Sequence, residues 1–127
     1  MNRHGQFSGN PKTEWLPDGR NMKLLEDFSY TDPTGMVWLA PSGSITDGAS
    51  IPSFLWSVVG GPFEGKYRIA AIVHDVVCAN HRTIEERKAG DRMFREACLC
   101  AGCTEAEAGI LYAGVTMGSL READAAQ

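Results

Sequence analysis

Hydrophobic and polar positions alternate through NMKLLEDFSY, the stretch at residues 21–30. This period of two is typical of a half-buried strand. TDPTG follows with turn residues, and MVWLAP then reads as a second strand, so the two strands are predicted to form a β-hairpin. The apolar side chains expected on one face of the first strand are Met22, Leu24, Phe28 and Tyr30.

The hydrophobic pattern changes to a helical one after Pro52. PSFLWSVVGG predicts a short helical turn that begins at this proline and ends at Gly60 and Gly61. PFEGKYRIAAIVHDVVCAN predicts the first long helix, beginning between Phe63 and Lys66.

Two further helices are predicted from capping boxes, in which a threonine is followed three residues later by a glutamate. The second helix is predicted over residues 84–101, with Gly102 as its C-terminal stop. The third is predicted over residues 105–120. The capping pairs are Thr83 with Glu86 and Thr104 with Glu107.

These elements predict an α+β fold, with an N-terminal β-hairpin region followed by a compact three-helix unit. A chain of 127 residues is long enough for one core. We expect residues 1–20 to be an extended arm, residues 21–120 a single globular domain, and residues 121–127 a frayed tail.

Composition and charge narrow the classes of function. The hydrophobic content of 43% and charged content of 22% are ordinary for a globular protein. With a net charge of -4, the chain lacks the excess of basic residues that is typical of nucleic-acid-binding proteins. We find no apolar run near the ~20 residues that span a bilayer, and no apolar segment typical of a signal peptide. The expected location is therefore the cytoplasm.

The chain has four cysteines, three of them in CLCAGC. Without a signal peptide, reduced thiols are expected rather than disulfides. Cys98 and Cys100 would point to opposite sides of a helix, and Cys100 could meet Cys103 only if the helix continued past Gly102. Small buried thiols are therefore favoured over a zinc or iron–sulfur site.

Two ionisable residues, His74 and Asp75, lie in the middle of the apolar helix YRIAAIVHDVVCAN. Helical spacing places them on a stripe with Ala71 and Cys78, which predicts a covered face. A buried carboxylate is costly unless it is paired. The pair could hold the strands to the helix through hydrogen bonds. Alternatively, it could serve as metal ligands or as general acid and base. A nucleophilic Cys78 is a further alternative, although a core cysteine is favoured.

Three other polar residues are candidate partners of this pair. Asp91 lies on the second helix, where it could point inward, although local salt bridges to Arg87 and its neighbours would also explain it. Asp47 lies in the turn TDGASIP, and Ser50 could cap the short helix that follows.

The motifs TDGASIP, YRIAAIVHDVVC and RKAGDRMF, in this order, resemble a family of small phage and prophage proteins catalogued as domain of unknown function 1353. The resemblance covers residues 35–118, and this chain departs from the pattern at Ser53 and Gly90. It implies a phage or prophage setting, with a host cytoplasm or a virion as the location, and a single cluster of shared polar residues, but no settled biochemistry. The shared polar positions are Asp47, Ser50, His74, Asp75, Arg87 and Asp91.

Two functions remain open from the sequence. The first is a hydrolase-like site in which His74, Asp75 and Asp91 hold a divalent metal, and Asp47 and Ser50 assist in metal-assisted or cell-wall-directed hydrolysis. The second is a non-catalytic virion, assembly or host-interaction protein that docks other phage or host proteins. In that case the polar cluster is structural, and Trp15, Trp38, Trp56 and the glycine-rich stretch VVGGPFEG supply the docking surface.

Overall fold

The strands form two small antiparallel sheets. The computed structural model of the chain describes residues 3–19, 21–46, 55–60 and 65–125. One sheet has the order β1-β4-β5 and the other β2-β3-β6. The strands are β1 (Gln6–Phe7), β2 (Thr13–Trp15), β3 (Met22–Leu24), β4 (Phe28–Thr31), β5 (Val37–Ala40) and β6 (Ile45–Thr46).

Strands β4 and β5 form the predicted hairpin, with Tyr30 opposite Trp38. Asp32 organises its loop, because its carboxylate accepts a hydrogen bond from the Trp38 indole at 3.0 Å and from the Thr34 amide at 2.9 Å. Gly35 completes the turn with a φ of 90°, a backbone conformation that favours glycine. The turn chemistry of TDPTG therefore predicted this loop correctly.

The prediction of one continuous strand over residues 21–30 was wrong. The chain bends between Leu24 and Phe28, so that β3 and β4 belong to different sheets. Ser42 stabilises the bend. Its amide donates to the Asp27 carboxylate at 2.7 Å, and its hydroxyl donates to the Leu25 carbonyl at 3.1 Å. Both strands keep their alternating pattern, which is why the sequence did not reveal the break.

The first 20 residues, expected as an extended arm, contribute β1 and β2. Residues 6–7 pair with β4, and residues 13–15 pair with β3. The Tyr30 hydroxyl donates to the His4 carbonyl, and His4 Nδ1 lies 2.8 Å from Glu96 Oε1. The N-terminal segment is thus attached both to a strand and to a helix.

The helices follow the strands along the chain, which confirms the predicted α+β class. Their bounds are α1 (Trp56–Val59), α2 (Arg68–Ala79), α3 (Ile84–Cys100) and α4 (Glu105–Ala125). Pro52, where the short helical turn was predicted to begin, lies outside the described residues. Helix α4 runs past its predicted end at Leu120, because the Arg, Glu and Ala residues that follow are good helix formers.

Helix α2 begins at Arg68, later than predicted. Gly65 forms a turn before it, and a Cβ at this glycine would come within 2.3 Å of the Tyr67 ring. Burial raises the pKa of Tyr67 to about 12, so its phenol stays protonated and donates to the Gly60 carbonyl at 3.0 Å. The buried tyrosine therefore fixes the segment that enters α2.

Both predicted capping residues cap their helices. The Thr104 hydroxyl accepts from the Glu107 amide at 3.1 Å, and the Glu107 carboxylate accepts from the Thr104 amide at 2.8 Å, which completes the box. At α3, Thr83 accepts from the Glu86 amide at 3.1 Å, while the Glu86 carboxylate accepts from the Arg82 amide instead.

The core lies between the sheets and the helices, with α2 packed against both β5 and α3. Gly90 lets α3 approach α2, because a Cβ there would come within 3.1 Å of Val77 Cγ1. In the described part of the chain, no helix has the length and apolar character needed to cross a membrane. The largest buried core side chains are Leu24, Phe28, Tyr30, Tyr67, Ile72, Phe94 and Leu111.

Candidate functional site

A buried hydrogen bond joins α2 to α3. His74 Nε2 lies 2.8 Å from Asp91 Oδ1, and the two residues are exposed to only 1% and 2%. Gly90, immediately before Asp91, is where the two helices come close. The absence of a side chain at that position therefore helps to bring the imidazole and the carboxylate within reach of each other.

The His74 ring is held by an aromatic neighbour as well. Its centroid lies 4.7 Å from that of Phe94, with the two ring planes tilted by 38°. Phe94 is itself buried in the core. This contact covers the imidazole and limits the directions in which it can turn.

Cys78 also approaches His74 Nε2, one turn further along α2. Its Sγ lies 3.3 Å from the same nitrogen that contacts Asp91. The two residues are four apart, the spacing that places side chains on one helical face. The thiol, the imidazole nitrogen and the carboxylate oxygen therefore converge on one point.

Arg87 also contacts Asp91. Its Nε donates to Asp91 Oδ1 at 3.3 Å, one turn earlier on α3. Arg87 also reaches towards α4, since a Cβ at Gly118 would come within 2.9 Å of Arg87 Nη2. A positive side chain thus balances the buried carboxylate from the same helix.

The donor atoms of His74, Cys78 and Asp91 lie within 4.8 Å of one another. Among the residues that the structure describes, this is the group whose atoms are close enough to share a metal ion. Imidazole nitrogen, thiolate sulfur and carboxylate oxygen are all ligands that zinc accepts. The candidate site is therefore a mixed nitrogen, sulfur and oxygen donor set between α2 and α3.

The same geometry argues against a Cys–His–Asp catalytic triad. In a triad, the acid holds one ring nitrogen while the other nitrogen takes the proton of the nucleophile. Here Cys78 and Asp91 both contact His74 Nε2. The arrangement therefore fits shared coordination better than proton relay through the ring.

The structure brings together some of the residues named from the sequence. His74 and Asp91 meet directly, whereas Asp75 is half-buried beside His74 and does not belong to the group of three donor atoms. Asp47 and Ser50 lie outside the described residues. The roles predicted for these three remain predictions.

The sequence favours a core role for Cys78, and the predicted metal ligands do not include it. A signal was present, because a cysteine four residues after a histidine shares its helical face. What the sequence lacked was the direction of the thiol and the distance between α2 and α3. The approach at Gly90 sets that distance.

Comparison with known proteins places the chain among uncharacterised relatives. The protein y4jT of Sinorhizobium fredii is 46% identical over 76 residues, which cover 58% of this chain and 23% of that protein. The protein y4iH of the same organism is 36% identical over 110 residues, which cover 86% of this chain and 45% of that protein. The chain thus spans less than half the length of either relative.

No solved structure matches the chain. A family model does match, over residues 22–115, which include both helices of the candidate site. That span contains β3 to β6 and most of the helical unit. The chain therefore belongs to the family described as protein of unknown function DUF1353.

Proposed function

We propose that the protein binds one divalent metal ion, zinc being the best fit, between α2 and α3. The ligands are His74 Nε2, Cys78 Sγ and an Asp91 carboxylate oxygen. The observation that carries the proposal is the approach of both the thiol and the carboxylate to one imidazole nitrogen.

One proton cannot serve all three atoms equally. If His74 Nε2 carries a hydrogen, the Asp91 carboxylate is its stronger acceptor and the Cys78 thiol the weaker one; if it does not, the carboxylate faces a lone pair. A divalent cation in place of the proton would let all three groups bind in their deprotonated forms. The donor set then gives the metal a neutral imidazole and two anions.

The distances require a small opening of the site. Zinc bond lengths of about 2.0–2.3 Å in a tetrahedral arrangement separate ligand atoms by about 3.4–3.6 Å. The observed separations from His74 Nε2 are 2.8 Å to Asp91 and 3.3 Å to Cys78. Displacements of the ligand atoms by up to about 0.6 Å would therefore make room for the ion.

Three protein ligands leave one position of a tetrahedral metal free, as in catalytic zinc sites. A bound water there would have a pKa of about 7 and could act as a nucleophile. We therefore include metal-assisted hydrolysis in a phage or prophage setting, with a cell-wall peptide as the substrate class; this role requires the buried site to open to solvent. Asp75, Asp47 and Ser50 are the candidates for orienting that water or the substrate.

A measurement of hydrolysis tests the catalytic part of the proposal. The zinc-loaded protein should cleave a peptide or ester bond in isolated cell-wall material, and Cys78→Ser should abolish the cleavage. Cys100→Ser, which changes a thiol outside the site, should leave it intact. Stoichiometric zinc without any cleavage would reduce the proposal to a structural metal site.

A non-catalytic role is the second candidate, and the Arg87 contact favours it. Asp91 Oδ1 already accepts a hydrogen bond from Arg87 and lies 2.8 Å from His74 Nε2, and these contacts can stabilise the carboxylate without a metal. Trp15 is exposed and could contribute to a docking surface, whereas Trp38 is partly buried and bonded to Asp32. In this role, the cluster stabilises the packing of α2 against α3, and the protein binds another phage or host protein.

A further inference from the structure

The turn between α3 and α4 places two cysteines against each other. The Cys103 amide donates to the Cys98 carbonyl at 3.0 Å, and the Gly102 amide donates to the Leu99 carbonyl at 3.1 Å. Gly102 has a φ of 103°. These features define a Schellman motif, in which the first and last residues of the turn commonly bring their side chains into contact.

Here both of the residues at the ends of the turn are cysteines, Cys98 at its start and Cys103 at its end. Cys98 is completely buried in the core, whereas Cys103 is 8% exposed at the end of the helix. Both thiols are free. The contact is therefore a buried dithiol with one member nearer to the surface.

The two thiols differ in acidity. Burial raises the pKa of the Cys98 thiol, which stays protonated and can donate to its partner. A hydrogen bond from Cys98 lowers the pKa of Cys103, and this effect, together with the nearby charge of Lys66, outweighs burial and the Glu107 carboxylate, which act to raise it. Since a thiolate is the reactive form of cysteine, Cys103 is the member suited to attack and Cys98 the member suited to resolve.

We propose that Cys98 and Cys103 form a reversible disulfide by exchange with a small-molecule disulfide. The site is separate from the candidate metal site, because Cys78 takes no part in it. It is also compatible with the fold, since a disulfide requires the Cα atoms to lie about 4.4–6.8 Å apart, and the Schellman turn holds its ends close together.

The exchange proceeds in two steps. The Cys103 thiolate attacks one sulfur of the small disulfide, forms a mixed disulfide and releases one small thiolate, which takes up the Cys103 proton. The Cys98 thiol then loses its proton and attacks the Cys103 sulfur, which releases the second small molecule as a thiol. The protein loses two electrons and two protons, and the small disulfide becomes two thiols.

The experiment uses oxidised glutathione and the folded full-length chain. Trypsin releases residues 96–121 as one peptide, since Arg95 and Arg121 flank a segment without other basic residues. In Cys100→Ser this peptide keeps only Cys98 and Cys103. We expect it to lose the mass of two hydrogen atoms after oxidation and to regain it with dithiothreitol.

Two further variants test the order of the steps. Cys98→Ala should retain glutathione on Cys103 as a stable mixed disulfide, because the resolving thiol is missing. Cys103→Ala should acquire neither the disulfide nor glutathione on Cys98. Circular dichroism checks that each variant is folded, and the Cys100→Ser result does not depend on either of them.

Some results would overturn the proposal. One is an unchanged peptide mass in folded Cys100→Ser at a glutathione disulfide concentration that oxidises an unfolded control. Another is a wild-type disulfide that disappears in Cys100→Ser, since Cys100 would then be one of its members. Accumulation of a mixed disulfide on the wild-type chain, without further exchange, would show that Cys98 cannot resolve it.

Discussion

Nε2 of His74 and Oδ1 of Asp91 lie 2.8 Å apart, although 17 residues separate them along the chain. The bond crosses from α2 to α3 in a place that water scarcely reaches. A carboxylate so deeply buried must be balanced by its partners, because desolvation of an isolated charge is costly. The arrangement around this pair therefore contributes to stability whether or not a metal binds.

Removal of the carboxylate should be strongly destabilising. We expect Asp91→Ala to lower the free energy of unfolding by about 3 kcal/mol, because it leaves the buried His74 and the neighbouring Arg87 without this acceptor. Chemical denaturation of the metal-free protein measures the change. Lys88→Ala, on the exposed side of the same helix, should change the free energy by less than about 0.5 kcal/mol.

If Asp91→Ala cost no more than the control, the buried pair would contribute little to folding. The structural role offered as the second candidate function would then lose its support. The proposed metal site would remain open to test, because metal affinity and stability are separate measurements.

The Asp32 loop predicts a dependence of stability on pH. Burial acts to raise the pKa of Asp32, but hydrogen bonds from Thr34, Trp38 and Met36 outweigh it and lower the pKa below the ordinary 3.8. The stabilisation by the ionised form is therefore complete above pH 3.8 and is lost as the pH falls through the lowered pKa. Asp32→Asn should lower stability by about 1–2 kcal/mol at neutral pH.

Denaturation at several pH values checks this sign. The gap in unfolding free energy between wild type and Asp32→Asn should be constant at neutral pH and should narrow below pH 3.8. Glu26→Gln removes an exposed carboxylate that lies 3.3 Å from Lys12, and should change stability by less than about 0.5 kcal/mol. If the difference in unfolding free energy between wild type and Asp32→Asn widened in acid, the lowered pKa of Asp32 would be contradicted.

The attachment of the N-terminal segment depends on Gly5. Its φ is 100°, and a Cβ there would lie 2.3 Å from the Thr31 carbonyl oxygen. Gly5→Ala should therefore lower the free energy of unfolding by about 2 kcal/mol or more. Gly109→Ala is the matched control, since a Cβ there meets nothing within 4 Å and should stabilise the helix by up to about 1 kcal/mol.

Thermal or chemical unfolding of the two glycine variants gives the comparison. If Gly5→Ala were as stable as wild type, the first strand would not be held against β4 in the way described. Equal destabilisation by both alanines would also contradict the account, because the open space around Gly109 should accept a methyl group.

Helix boundaries were predicted well wherever local hydrogen bonds set them. The threonine caps at Thr83 and Thr104 and the stop at Gly102 depend on residues within one or two turns, and all three are present. The start of α2 was predicted less well, because the ring of Tyr67 packs over Gly65 and delays the helix. Such a contact has no local sequence signal.

Sheet membership could not be predicted from alternation. Leu24 and Phe28 are both buried and keep the same pattern, yet their strands pair with different partners. A contact between His74 and Asp91 could be proposed from the sequence, because each lies on a helical face. It could not give the convergence of Cys78 on the same nitrogen, since that depends on side-chain direction and on the approach of α3 at Gly90.

The most direct test of the central claim is zinc binding by the purified, reduced protein. We predict one zinc ion per chain, lost in His74→Ala and Cys78→Ser and retained in Cys100→Ser, with circular dichroism confirming that each variant is folded. Cobalt in place of zinc should give a thiolate-to-metal absorption that Cys78→Ser removes. A wild-type protein that binds no zinc, or zinc binding that survives both site variants, would contradict the account.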